Sequence, residues 1–224
     1  MLSPADAAAL ATLARDLRGV DRDCYARHGR DPLQPLIGLG PVDAPLCFVG
    51  RDPGAAEVAQ WRPFVGGSGQ QIRRGLAAHL FAGRDYSEDL GLRAGASVFW
   101  MNTVPYKPID NKPWPLAVRR QFHALLLPLL ARHWRGRDVV TFGTEAFGWF
   151  GIGQSAPVRE AMDAFWQKPD RFEASLPLQL ACDGGTRAFT LHPLPHPSPA
   201  NAQWKKRFPG LLQLRLQQLL PHLP

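Results

Sequence analysis

Cysteine is scarce in this 224-residue chain: Cys24, Cys47 and Cys182 are an odd number without a C-x-x-C pair. Neither a disulfide framework nor a four-ligand zinc or iron–sulfur site can be assembled from cysteine alone, and a reducing compartment is expected. Long apolar runs are lacking too. The longest, ALLLPLLA, falls far short of a bilayer, and the opening MLSPADAAALATLARDLRG has neither a charged n-region nor an apolar h-region. The expectation is a soluble, cytoplasmic protein without a membrane partner, nucleoid-associated if bacterial. Acids are missing from one stretch. Gly184 to Pro224 holds five bases and no Asp or Glu, which leaves 21 bases against 19 acids in the first 183 residues and a net charge of +7. A one-signed tail of this kind suits a polyanion, although clustered surface Lys and Arg are common without one.

What is present argues for one compact domain over 1–224, with 1–45 forming an N-terminal helix and a Pro/Gly-rich approach. Hydrophobic residues make up 45% of the chain and seven are Trp, enough for a sizeable core. The 21 Gly and 22 Pro are scattered as punctuation, not gathered into a low-complexity block. Ser3-Pro4-Ala5-Asp6 reads as an N-cap with Pro at the first helical position, opening a helix that runs to about Arg18. Four short apolar runs follow: LCFVG (46–50), SVFWMNT (97–103), DVVTFG (138–143) and AFTLHPLPH (188–196). Helical patterns occupy about 68–82, 115–134, 144–150 and the stretch after Pro209. Alternation of this kind predicts an α/β fold, a central four-stranded, mainly parallel sheet with helices on both faces.

Ligands of open parallel sheets sit at the carboxyl ends of the strands. The predicted strands end in Asp52, in Asn102, in Gly143-Thr144, and in His196 with Ser198, so an acid, an amide and an imidazole would share one rim. Each has a plain alternative. Asp52 in VGRDPG suits a turn that satisfies its own backbone, but a carboxylate fixed there would also hold a water or face a developing cation. Asn102 either ties a loop down or presents one donor and one acceptor side by side to a base edge. Phe64 in WRPFVGGSGQQ is either core or a stacking surface, and Gly66, Gly67 and Ser68 before a helix either flex or approach an anion. In TVPYKPIDNKPWP the prolines, aromatics and bases point to an ordered loop lining a groove. His192 and His196 are four apart, but the prolines between them forbid a helix and no acid or Cys is near, so no metal site is expected.

Together these segments resemble the uracil-DNA glycosylase superfamily. GRDPG is similar to its first motif, and RPFVGGSG to the segment following that motif in the iron–sulfur-bearing family-four enzymes. Asn102 in MNTVPYKP matches the base-reading Asn. HPSPAN is similar to the second motif, with HPSPANAQ closest to the single-strand-selective monofunctional branch. The resemblance covers the chain from roughly Cys24 onward. It implies Asp52 and His196 as catalytic pair, Asp52 positioning water and balancing the sugar cation while His196 donates to O2 of the leaving base. It implies that Gly50, Arg51, Gly54, Phe64 and Asn102 surround that base. Gly66, Gly67, Ser68, Ser198, Asn201, Trp204, Lys205, Lys206 and Arg207 would meet DNA, with Trp204 or Asn201 as a wedge. The expected partner is uracil-bearing DNA, single- or double-stranded, met by a monomer without a cofactor.

Two departures stand out. Only Cys24 lies near a cluster-cysteine position of the family-four enzymes, so an iron–sulfur cluster is not expected. Gly54 stands where the best-known branch has the Tyr that repels a C5 methyl group, which implies tolerance of 5-substituted uracils. Hypoxanthine or another deaminated base remains open as substrate. So do a nucleotide or sugar-phosphate binding protein, which would lack both the P-loop Lys-Ser/Thr and G-x-G-x-x-G, and an inactive DNA-binding module.

Overall fold

The computed structural model describes residues 2–198 and 202–220, with only the backbone of Ala202 and Lys205. The first helix, α1 (Pro4–Arg15), is capped by the Ser3 hydroxyl, which accepts from the Asp6 N–H at 3.0 Å. The short α2 (Arg22–Arg27) follows, then β1 (Leu46–Gly50), α3 (Ala55–Gln60), α4 (Gly67–Leu80), α5 (Glu88–Gly95) and β2 (Phe99–Asn102). After a 103–115 connection come α6 (Leu116–His133), β3 (Asp138–Phe142), α7 (Thr144–Trp149) and α8 (Ala156–Trp166). The last elements are β4 (Leu176–Cys182), β5 (Gly185–Leu194), α9 (Ala202–Lys205) and α10 (Phe208–Leu219).

The sheet has five strands, not the four expected, in the order β2-β1-β3-β5-β4, all parallel except β4. The strand absent from the sequence reading is β4. Leu178 and Leu180 turn inward, while Pro177 masks the alternation, and at a sheet edge its missing N–H breaks no ladder. The signal that would have found it is Asp183-Gly184, a two-residue turn with φ of 50° and 77° that folds β4 back on β5.

Period-two alternation explains why both faces are covered. Cys47, Val49, Phe99, Met101 and Val139 point into one apolar cluster, built with Leu10 of α1 and Phe122, Leu126 and Leu130 of α6. Leu46, Phe48, Trp100, Val140 and Phe142 point into the other, against Ile72 and Leu76 of α4, Leu90 of α5 and Leu212 of α10. The chain leaves β1 toward β2 on one side and returns to β3 on the other. That reversal is the switch point at which a crevice opens beyond the strand ends, and along it Asn102 ends β2 while Asp52, Gly143 and His196 follow β1, β3 and β5.

The three cysteines are dispersed: Cys24 in α2 and Cys47 in β1 are buried, and Cys182 closes β4. Among the described residues no helix is long and apolar enough to cross a membrane, and no three His, Cys, Asp or Glu side chains gather as a metal ion would require.

Candidate active site

At the end of β1 the backbone is pinned by its neighbour. Gly50 pairs with Asn102, and the Thr103 N–H donates to the Gly50 and Arg51 carbonyls at 3.0 Å each, with the Thr103 hydroxyl also donating to Arg51 O at 2.6 Å. A side chain at Gly50 would lie 2.7 Å from the Phe64 ring, so the glycine lets that ring lie over the strand end.

Asp52 comes next, and its side chain is 1% exposed. Arg51 Nε donates to its Oδ2 at 2.7 Å, while Arg51 Nη2 reaches the Asn111 carbonyl at 2.6 Å and ties the turn to the 103–115 connection. Oδ1 is buried without a hydrogen-bond partner. Burial raises the Asp52 pKa to about 7 against the opposing pull of Arg51, with Glu145 adding to the rise. Asn102 Oδ1 is likewise buried without a partner.

His196 arrives from the end of β5. Gly143, at φ +89°, makes room for it, since a Cβ there would sit 3.0 Å from His196 Cβ. Burial lowers its pKa, with the Arg51 cation adding to the effect, so the imidazole is neutral at physiological pH. The segment that carries it is held by Gln71 of α4, whose Nε2 donates to Pro197 O at 2.9 Å.

These groups line one slot of about 60 Å³, made by Gly50, Asp52, Phe64, Asn102, Phe142 and His196 with Ile72 of α4. Far apart in the chain, the acid, the amide and the imidazole therefore converge. The slot shares Arg51, Asp52, Glu57, Ser68 and His196 with an adjoining hollow of about 390 Å³, which Gly54, Gly66, Gly67, Asn111 and Ser198 also line. A family model described as the uracil DNA glycosylase superfamily matches residues 37–220. The chain belongs to that superfamily. A search of curated proteins found no match.

Superfamily membership makes the chain a DNA glycosylase, a hydrolase of N-glycosidic bonds whose partner is DNA. In this glycosylase two residues that sequence reasoning passed over organise the site. Glu57 accepts from the Gly54 N–H at 3.0 Å, the Val65 N–H at 3.0 Å and the Gly66 N–H at 2.6 Å, joining the Asp-Pro-Gly turn to the Phe64 loop. An acid at the third position of α3 was its sequence signal. The other is Gln71, for which no local pattern existed.

The remaining expected contacts lie farther out. Lys206 and Arg207 are exposed, and the Arg207 guanidinium lies 4.9 Å from the Trp204 ring centre. Trp204 is half-buried, edge-on to Phe172 at 4.8 Å. Asn201 and the Lys205 side chain lie outside the described residues.

His192 is not part of the slot. Its Nε2 faces Asp138 Oδ1 at 3.0 Å and its Nδ1 faces the Ser175 hydroxyl at 2.8 Å. That order resembles a hydrolytic triad, yet Arg215 donates to the same hydroxyl at 3.0 Å and to the Phe172 and Ala174 carbonyls, which makes the array a tie between α10, β5 and β3. A larger hollow of about 1150 Å³ between α6, α7 and α8 contains His123. Burial brings the pKa of that imidazole down to about 4, so it is neutral at physiological pH, and it packs on Trp149 at 4.5 Å with its Nε2 buried and without a hydrogen-bond partner.

Proposed function

We propose that this glycosylase removes uracil from DNA by monofunctional hydrolysis, with the flipped base held in the slot. One observation carries the reading: two buried side-chain oxygens, Asp52 Oδ1 and Asn102 Oδ1, lack partners and line the same slot as Phe64 and His196. Buried polar atoms without partners cost about 1–3 kcal/mol each, and a ligand that satisfies both recovers that cost.

The chemistry follows from the charges that develop. Breaking the C1′–N1 bond leaves the electron pair on the base and cationic character on the sugar. Asp52, ionised above pH 7, faces the sugar cation and takes the proton of the attacking water through Oδ1. A neutral His196 donates its ring N–H to O2 of the departing base anion. Asn102 accepts from the uracil N3–H and donates to O4. Cytosine offers the opposite edge, an acceptor at N3 and a donor at C4, and would leave the amide unpaired. Phe64 stacks on the everted ring, and extrusion, which costs a few kcal/mol, is offset by phosphate contacts at Gly67, Ser68, Ser198 and the Lys206–Arg207 surface.

Hypoxanthine presents the same donor–acceptor edge, and the small slot is what favours a single ring. Nothing screens C5 from position 54. Gly54 lines the adjoining hollow, and a Cβ there would press on Glu57 Oε2 at 2.8 Å, so the turn as built leaves that approach open. The expected substrates therefore include 5-hydroxymethyluracil. The test is incubation with oligonucleotides carrying uracil, 5-hydroxymethyluracil, hypoxanthine or xanthine, followed by alkaline cleavage of abasic sites. Release of uracil and of its 5-substituted form, but not of the purines, is expected. Release of hypoxanthine alone would overturn the uracil reading, and stabilisation by free nucleotide without any base release would replace it with a binding protein.

A further inference from the structure

Arg73 on α4 is a cation placed where cations are unfavourable. It is 3% exposed, and among the described residues no carboxylate lies within ion-pair distance of it. Burial pulls its pKa down to about 10, so it stays charged at neutral pH while desolvated. Its guanidinium is directed instead at backbone. Nε donates to Phe64 O at 2.7 Å, Nη2 to Pro63 O at 3.0 Å and Nη1 to Gly91 O at 3.3 Å. Its flat face lies 4.6 Å from the centre of the Trp100 ring, and the Trp100 ring in turn lies 4.7 Å from that of Phe64.

The surroundings are cut to fit. A Cβ at Gly95 of α5 would collide with the guanidinium, and one at Gly91 would press on Arg73 Cβ at 3.2 Å. Phe64 needs such a restraint, because its φ of +55° puts a bulky aromatic in the left-handed region. A conformation of that kind is strained and persists only where neighbours over-determine it. Gly69 lets the first turn of α4 press on the Phe64 backbone from the other side, where a Cβ would collide with it. Yet Arg73 lines neither the slot nor the adjoining hollow.

We propose that Arg73 is a positioning residue for base stacking: through the Phe64 carbonyl and the Trp100 ring it fixes the height and tilt of the Phe64 ring in the slot without touching the base. The proposal rests on the uracil-excision reading above, in which Phe64 is the stacking surface. The guanidinium fork is essential to it, since an ammonium keeps the charge but cannot hold three carbonyls and lie flat on Trp100.

The test uses the whole protein labelled with 4-fluorophenylalanine, the Phe64 signal being assigned by its loss in Phe64→Leu. In the free protein, Arg73→Lys and Arg73→Met should each shift and broaden the ¹⁹F resonance of Phe64. On uracil-bearing single strands both should reduce excision by roughly 10-fold to 10²-fold, the scale expected of a misplaced contact surface. Combining Arg73→Met with Phe64→Leu should lower the rate little beyond Phe64→Leu alone, and the pH profile should keep its shape. An unmoved Phe64 resonance, full activity in Arg73→Lys, or losses that multiply in the double variant would overturn the proposal. Should Arg73→Met fail to fold, Arg73→Lys carries the same two readouts. The fluorine measurement needs no substrate, so a protein that releases no base from any oligonucleotide sinks the excision reading while the positioning claim is still decided.

Discussion

At the scale of single residues, the site holds its acid in an uncomfortable state. The Asp52 pKa is raised to about 7 from an ordinary 3.8, so the folded protein grips this proton more tightly than an unfolded chain does. Stability therefore falls as pH rises from about 4 to about 7, as the buried carboxyl ionises. Asp52→Asn never ionises and should melt higher than the wild type at pH 8, with the gap closing at pH 4, as thermal melts at the two pH values would show. The same variant should lose at least ~10² in excision, the scale of removing one preorganised charge, and His196→Ala should lose as much with DNA binding retained. Excision should rise with pH through about 7 as Asp52 ionises. Arg51 lowers that pKa, so Arg51→Met should displace the rising limb to higher pH in single-turnover profiles; an unmoved limb would assign the titration elsewhere. The Asp52 and Asn102 positions were legible because tight turns and strand ends have local signatures. For Glu57 only the local capping of Gly54 had a signal, and Arg73 had none, because their other partners are backbone groups of other segments: Glu57 reaches Val65 and Gly66, and Arg73 reaches Gly91.

At the scale of elements, α4 does more than close the sheet. Its first turn lies on Phe64, its third residue is the glycine that permits this, Gln71 holds the 196–198 segment and Arg73 holds the Phe64 carbonyl. Gly69→Ala would wedge α4 away from Phe64. Overpacking of this kind costs about 1–3 kcal/mol, and the variant should melt lower and bind uracil-bearing oligonucleotide more weakly. Gln71→Leu removes one hydrogen bond, worth about 0.5–1.5 kcal/mol. Because that bond holds the His196 segment, kcat should fall while KM changes little, which steady-state kinetics would resolve. The helix at 67–80 was legible from its apolar spacing, and α6, α7 and α10 likewise. By contrast α5 is only 8 residues long and holds two glycines, α8 was passed over although Val158, Met162, Phe165 and Trp166 recur at helical spacing, and β4 was hidden by Pro177.

At the scale of the whole molecule, the charge of +7 and the acid-free last 41 residues set the terms of association with DNA. Each phosphate neutralised on a single strand contributes a slope of about −0.7 in log K against log salt. Replacing Lys206 and Arg207 with Gln should make that slope shallower by about 0.7 for each phosphate no longer neutralised, measured by anisotropy across a salt series. An unaltered slope would place the DNA track elsewhere on the surface. What the sequence by itself determined is the alternation of strands and helices and the chemistry at each strand end, because hydrophobic period and turn residues act over a few positions of chain. What only the tertiary structure decided is that Asp52, Asn102 and His196 meet in one slot, that two of their oxygens are left unpaired there, and that a buried arginine donates to the Phe64 and Pro63 carbonyls. Desolvation and hydrogen bonding between distant segments depend on which surfaces the strand order brings together, and no local pattern encodes that.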